Sequence, residues 1–318
     1  MTIAGGDAES LGVEVWRGGI NTWECDEMGH MNVRFYVTRA MEGLVGLAAA
    51  LGMPKAYTPN AGASLVLREQ HIRFLREAHP GGPLHMRAAV VSMDETEAQV
   101  LQVLYHSATG EPAATYVSRV SHVTAQDARP FPWARHAREL AAGLTAAVPA
   151  YAAPRGLDLA PFESQASLGR ATALGVRTIA AGAVSPQDCD VFGRMRADQF
   201  IGRISDGIPQ LVGEVRAIIA SNSPQKPKRF GGAVLEYRLV YLDWPRAGER
   251  MSVHSGLAAI DGATQRIVHW ILDPSTGQPW ATSMAVTATL DLDARKIVAI
   301  TPAAREKLSA MAVEGLTL

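Results

Sequence analysis

Residues 23–43 read WECDEMGHMNVRFYVTRAMEG, and residues 187–207 read QDCDVFGRMRADQFIGRISDG. At a constant shift of 164, Cys25, Asp26, Gly29, Met31, Arg39 and Gly43 fall on Cys189, Asp190, Gly193, Met195, Arg203 and Gly207, and Glu42 falls on Asp206. A second pair of segments, SATGEPAATYV at 107–117 and PSTGQPWATSM at 274–284, aligns at a shift of 167. There Thr109, Gly110, Pro112, Ala114 and Thr115 match Thr276, Gly277, Pro279, Ala281 and Thr282. Gly18 also falls on Gly182 at the first shift. Two blocks in the same order with so little drift mean a duplicated domain. A period this long gives two fused domains rather than a solenoid, whose repeats run about 20–50 residues.

Working outward from the first block, apolar residues recur at Val33, Val37, Ala40, Met41, Leu44, Leu47, Ala48 and Leu51. This is the spacing of a helix with one buried face, ending near Gly52 and Pro54. Four β-rich runs follow, Leu65 to Leu75, Leu84 to Met93, Ala98 to Tyr105 and Ala113 to Val123. Turn signals separate them: HPGG at 79–82, DET at 94–96 and TGEP at 109–112.

The second half repeats the order, with Ala197, Phe200, Ile201, Ile204, Ile208, Leu211 and Val215 as the helix face and strands at about 230–242, 250–260, 264–272 and 280–291. Gly202, Gly207, Pro209 and Gly213 weaken or kink that helix, which must rely on packing. A long helix followed by an antiparallel meander is an α+β layer, here present twice. The expected divisions are a first domain at 12–125, a connector at 126–170 with a short helix near 133–146, a second domain at 171–295 and a tail at 296–318 with a terminal helix.

The 318 residues suit two domains, and a hydrophobic content of 47% is ample for a core in each. A net charge of −1 gives no broad attraction to nucleic acid or anionic membrane. No apolar run is long enough to span a bilayer, and the opening MTIAGGDAES lacks the basic and apolar regions of a secretory signal. Cys25 and Cys189 stand at equivalent positions and read as small buried side chains rather than a disulfide, so a cytoplasmic location is expected.

Asp26 opens the string D-x-x-G-H-x-N, formed with Gly29, His30 and Asn32, just ahead of the helix. A glycine turn feeding a helix exposes unpaired backbone N–H groups that can polarise a carbonyl oxygen. A carboxylate beside them could attack an acyl carbon or activate water, as acyl-transfer hydrolysis requires. Asp26 could also serve only as a helix cap, Asn32 likewise, and His30 could be a histidine satisfied by backbone.

At these residues the chain resembles the hotdog-fold thioesterases, in particular the 4-hydroxybenzoyl-CoA thioesterase-like branch, over roughly residues 12–123 and 176–292. The resemblance implies a tandem, pseudo-dimeric double hotdog in which each central helix is wrapped by an antiparallel sheet. It implies hydrolysis of an acyl-CoA thioester with Asp26 as nucleophile or general base. His30 and Asn32 match the polar residues beside it, and Gly29 the turn whose amides serve the carbonyl. No resident cofactor or metal is expected, since CoA arrives with the substrate and no metal-ligand spacing, Walker loop, G-x-S-x-G or G-x-G-x-x-G string occurs. The partner is a small acyl-CoA molecule, and double-hotdog units could form a homo-oligomer. The alternative functions are an acyl-carrier-protein thioesterase or a CoA-ester hydratase or dehydratase, both on the same fold, and a non-catalytic acyl-CoA binder.

The second copy keeps Asp190 and Gly193 but has Arg194 and Arg196 where the first has His30 and Asn32. It is a possible second site, and its arginines either bind CoA phosphates or form ion pairs around a dead site. Lys226, Lys228 and Arg229, in the SPQKPKR loop, are further candidates for CoA phosphates. Glu69 and His71, on the strand after the helix, are weaker candidates for a catalytic acid. Trp16, Trp23 and Phe35 are expected in the core, and Glu42 and Asp206 in ion pairs with neighbouring arginines.

Overall fold

The computed structural model describes residues 11–318, so the MTIAGGDAES segment lies outside the described residues. The chain divides into two compact units. The first runs to Ala153 and also takes in Cys189–Asp198; the second comprises Pro154–Asp188 and Gln199–Leu318.

In the first unit the elements are β1 (Val13–Gly19), α1 (Val33–Ala50), β2 (Ala63–Phe74), β3 (Pro83–Met93), β4 (Glu97–His106), β5 (Pro112–Thr124) and α2 (Arg135–Ala142). Its strands are antiparallel in the order β1-β3-β4-β5-β2. Helix α1 buries Val37, Ala40, Leu44, Leu47 and Ala48 of the expected face and also Tyr36, while Val33 and Met41 are only half-buried. Burying a leucine of this kind contributes roughly 1.5–3 kcal/mol. The helix approaches β1 closely because Gly46 has no side chain, for a Cβ there would lie 2.3 Å from the Val15 carbonyl oxygen. Inside the sheet face, Gln102 of β4 is buried and donates from Nε2 to the Ala40 carbonyl at 2.8 Å.

After β5 the chain stays on this unit. Val90 donates its N–H to Leu144 O at 3.0 Å, and Ala146 donates to Val90 O at 3.0 Å. Helix α2 lies within the expected 133–146 window.

The second unit contains α3 (Leu168–Ala173), β6 (Arg177–Ala183), most of α4 (Ala197–Gly207), α5 (Pro209–Ser221), β7 (Phe230–Tyr241), β8 (Arg250–Asp261), β9 (Thr264–Leu272), β10 (Pro279–Asp291), β11 (Lys296–Ile297) and α6 (Pro302–Ser309). Its sheet runs β7-β10-β9-β8-β6, with β11 beside β10. The order repeats that of the first unit, so the duplication holds in three dimensions as a tandem α+β double hotdog. The eight main strands fall within two residues of their expected limits.

Three details differ from expectation. Strands β1 and β6 lie outside the expected elements; at 7 residues each they are too short and too Gly-rich for alternation to stand out. The second helix is two helices, because Pro209 has no N–H to continue the ladder, and α4 ends at Gly207. Trp23, expected in the core, is 77% exposed. It sits in a short 3-10 turn (Thr22–Glu24) whose buried residue is Glu24, so the charged neighbour points in and the indole out. No helix among the described residues is long and apolar enough to cross a membrane.

Candidate active site

The D-x-x-G-H string forms a small closed loop at the start of α1. Cys25 and Met31 pair as an isolated antiparallel bridge. Inside it, Asp26 donates its N–H to His30 O at 2.8 Å, and Gly29 donates to Asp26 O at 3.0 Å. Gly29 sits at φ +80°, a left-handed conformation that costs a residue with a Cβ about 1–2 kcal/mol. The Asp26 side chain completes the loop. Its Oδ1 accepts from Met28 N at 2.9 Å and from His30 N at 3.1 Å.

Asp26 is therefore not the helix cap. Asn32 is, with its Oδ1 accepting from Arg34 N at 3.0 Å. That cap satisfies one of the orphan amides of the helix start.

The second copy folds identically at this point. Cys189 and Met195 form the bridge, Asp190 N–H donates to Arg194 O at 2.7 Å and Gly193 N–H to Asp190 O at 3.0 Å. Gly193 has φ +77°, and Asp190 Oδ1 accepts from Phe192 N at 2.8 Å and Arg194 N at 3.0 Å. Retention of the aspartate in both copies thus has a structural cause: one carboxylate oxygen locks the turn. The copies part at the other oxygen. Asp190 Oδ2 accepts from Arg194 Nε at 3.3 Å, whereas Asp26 Oδ2 has no hydrogen-bond donor among the described residues.

Arg194 is buried, stacks over Phe192 at 4.8 Å and is held by Asp190. Arg196 contacts Asp198 at 3.1 Å. Both guanidinium groups are engaged in ion pairs. Lys226, Lys228 and Arg229 lie in a loop of the second unit, where Arg229 pairs with Asp293 at 3.4 Å.

Glu42 pairs with Arg39 at 3.0 Å as expected, but Asp206 has no ion pair among the described residues. Its neighbour Arg203 turns instead to Asp188, at 2.9 Å. Arg39 likewise reaches Glu24, which stands 164 residues before Asp188, so a buried acid–arginine pair under the loop is common to both copies. The sequence reading missed Glu24 and Asp188, although their alignment at the repeat shift was visible.

Glu69 lies 3.7 Å from Arg119, and His71 is buried. A register shift between Leu67 and Glu69 breaks the alternation from which their facing was read. Both cysteines are free and only half-buried. Burial pushes the Cys25 thiol up, with the Asp26 and Glu24 carboxylates adding to the effect, which argues against a thiolate nucleophile.

The connection from β2 to β3 lies against the loop. Met31 N–H donates to Ala78 O at 2.8 Å. This brings in two residues that the sequence did not single out, Glu77 and His79, the latter within the HPGG turn. His30 Nε2 stands 3.4 Å from Glu77 Oε2, His79 Nε2 stands 3.8 Å from the same oxygen, and His79 Nδ1 lies 3.4 Å from Gly29 O. The donor atoms of these three side chains all lie within 4.8 Å of one another.

Comparison with known proteins agrees with this architecture. The family model described as the thioesterase-like superfamily matches twice, at residues 20–142 and 184–308. Among solved structures, a protein provisionally described as an oleoyl thioesterase from Lactobacillus plantarum superposes with a TM-score of 0.65 at 12% identity, covering 87% of this chain and 96% of that one. An acyl-ACP thioesterase from Bacteroides thetaiotaomicron gives 0.63 at 10% identity, covering 88% and 99%. The 12:0-ACP thioesterase from Umbellularia californica gives 0.61 at 11% identity, covering 86% and 93%. At these identities the likeness is one of fold. No protein of curated function is similar enough in sequence to match.

Proposed function

The chain belongs to the thioesterase-like superfamily, and on that premise we propose that it hydrolyses an acyl-CoA thioester with Asp26 as the reacting carboxylate. The observation that carries this reading is the division of labour within one side chain. Oδ1 is fixed by two backbone N–H groups, so the carboxylate is held in one orientation. Oδ2 takes no donor among the described residues and is left to attack the thioester carbon or to accept a proton from water. The preorganised oxygen costs no reorganisation when the substrate arrives.

His30 supports the same chemistry as an orienting group beside the loop. Asn32 contributes through its cap, which sets the first turn of α1. Gly29 gives the loop its left-handed turn and keeps the backbone open to a ligand, since a Cβ there would meet nothing within 4 Å. Asp190 is assigned no catalytic part, because both of its oxygens are engaged. Arg194 and Arg196 are likewise committed to carboxylates, so the proposal gives them no phosphate contact; Lys226 and Lys228 stay candidates for one. A cytoplasmic setting suits a CoA ester as substrate.

Two similar structures of nearly the same length are named as acyl-ACP thioesterases, and this favours an acyl-carrier-protein ester as the second reading. A net charge of −1 offers no strong general attraction to an acidic carrier, so the CoA ester is preferred. The test is thiol release from matched acyl groups presented on CoA and on a carrier protein. Faster release from CoA supports the proposal, release from the carrier alone moves the substrate to the second reading, and release from neither sinks both.

A further inference from the structure

We propose that His30, Glu77 and His79 form a binding site for a divalent transition-metal ion of the zinc type, set against the Asp26 loop. This goes beyond the hydrolase reading and does not depend on it. The sequence reading expected no metal because the ligands lack a recognisable spacing, His30 lying on the loop before α1 and the other two between β2 and β3.

The first support is geometric. The two segments are held together by backbone, through the bond from Met31 N to Ala78 O at 2.8 Å and one from Gly81 N to Ile20 O at 2.8 Å. The side chains therefore meet on a fixed base. In a tetrahedral site with metal–ligand bonds of about 2.0–2.2 Å, neighbouring ligand atoms stand about 3.3–3.6 Å apart. The separation of His30 Nε2 from Glu77 Oε2, 3.4 Å, already has this value, and that of His79 Nε2, 3.8 Å, is near it. The three ligand atoms lie within 4.8 Å of one another, and His79, which is exposed, can swing to close the wider gap.

The second support is the orientation of the His79 ring. A neutral imidazole has a single N–H. A carbonyl oxygen can only accept, so the contact of His79 Nδ1 with Gly29 O places that hydrogen on Nδ1. Nε2 is then the ring atom turned toward the Glu77 carboxylate, 3.8 Å away, in position to serve as a ligand. A backbone carbonyl holding the far nitrogen of a histidine is the usual outer-shell partner of a metal ligand, fixing tautomer and ring plane.

Two imidazole nitrogens and one carboxylate oxygen, with a fourth position open to water, suit zinc or cobalt rather than calcium or magnesium, which prefer oxygen ligands alone. The second copy carries Arg194 in place of His30 and cannot form the site. A bound ion would tie the Asp26 loop to the β2–β3 connection and stabilise the fold by mass action.

The test uses the full chain stripped of metal with a chelator and titrated calorimetrically with zinc chloride. Tetrahedral cobalt absorption in the visible reports the coordination. One ion per chain is expected, with a raised melting temperature. His79→Ala and Glu77→Gln should each weaken binding by at least roughly tenfold, while His136→Ala, on the exposed face of α2, should leave it unchanged. Circular dichroism confirms that the variants fold. No binding, or binding indifferent to His79→Ala and Glu77→Gln, would overturn the proposal.

Discussion

Arg34 Nε stands 3.4 Å from Asp198 Oδ2, and the two residues occupy the same position of the two repeats, 164 residues apart. Asp198 is buried, with a side-chain exposure of only 4%, and is also held by Arg196 at 3.1 Å. Duplication placed a cation in one copy and an anion in the other at equivalent sites, where a pair of identical charges would repel.

Removing Asp198 should therefore cost more than removing either arginine. Asp198→Ala leaves two guanidinium groups facing each other and is expected to destabilise by about 2–4 kcal/mol. Arg34→Met, which leaves Arg196 in place, should cost no more than about 1 kcal/mol. Urea denaturation of both variants and of the double variant measures the coupling. Equal losses for the two single substitutions would contradict the shared-anion arrangement.

Gly207→Ala is expected to destabilise by about 1–3 kcal/mol, because the new Cβ would lie 2.5 Å from Ile179 O of β6. Backbone cannot yield as a side-chain tip can. Gly213→Ala, in the same helical region with nothing within 4 Å, should instead be neutral or stabilise by up to about 1 kcal/mol. Thermal melts of the two variants should move in opposite directions or differ clearly in size.

Acid should weaken the second unit through His269. Burial pushes this imidazole down to about 3, and Ser255 Oγ lies 2.7 Å from its Nδ1. The unfolded chain takes up the proton near about 6.5, so between these values it binds more protons than the folded chain. Stability is therefore full above about 6.5 and falls as pH drops through the window toward 3. In His269→Gln this contribution is gone, and the urea midpoint should fall less between about pH 7 and pH 4.5 than in the wild type.

The fold was legible because its largest signals are periodic. Leu44, Leu47 and Ala48 mark a helix face and the β runs carry their own turn signals, so α1 and the eight main strands emerged directly. Strands β1 and β6 did not, since pairing along one edge only leaves residues such as Arg17 and Ala181 exposed and blurs the alternation. At the site, the motif located Asp26, His30 and Asn32, yet it could not divide their work. That Asn32 caps the helix while Asp26 locks a turn depends on which backbone amide each oxygen meets, and sequence spacing allows either. Glu77 and His79 come near His30 only through the path of the β2–β3 connection. Trp23 failed as a core residue because hydrophobicity alone does not decide which way a single 3-10 turn faces.

The most direct measurement is thioester hydrolysis by Asp26→Asn and Asp190→Asn beside the wild type, with the melting temperature of each. The amide oxygen introduced by Asp26→Asn can still accept the two loop N–H groups, so this variant should melt close to the wild type while its kcat/KM falls by about 10²–10⁴-fold. Asp190→Asn should lose its pairing with Arg194, melt lower and keep kcat/KM within a few-fold. An active Asp26→Asn enzyme would contradict the assignment of Asp26 as the reacting carboxylate, and loss of activity confined to a still-folded Asp190→Asn would move the chemistry to the other copy.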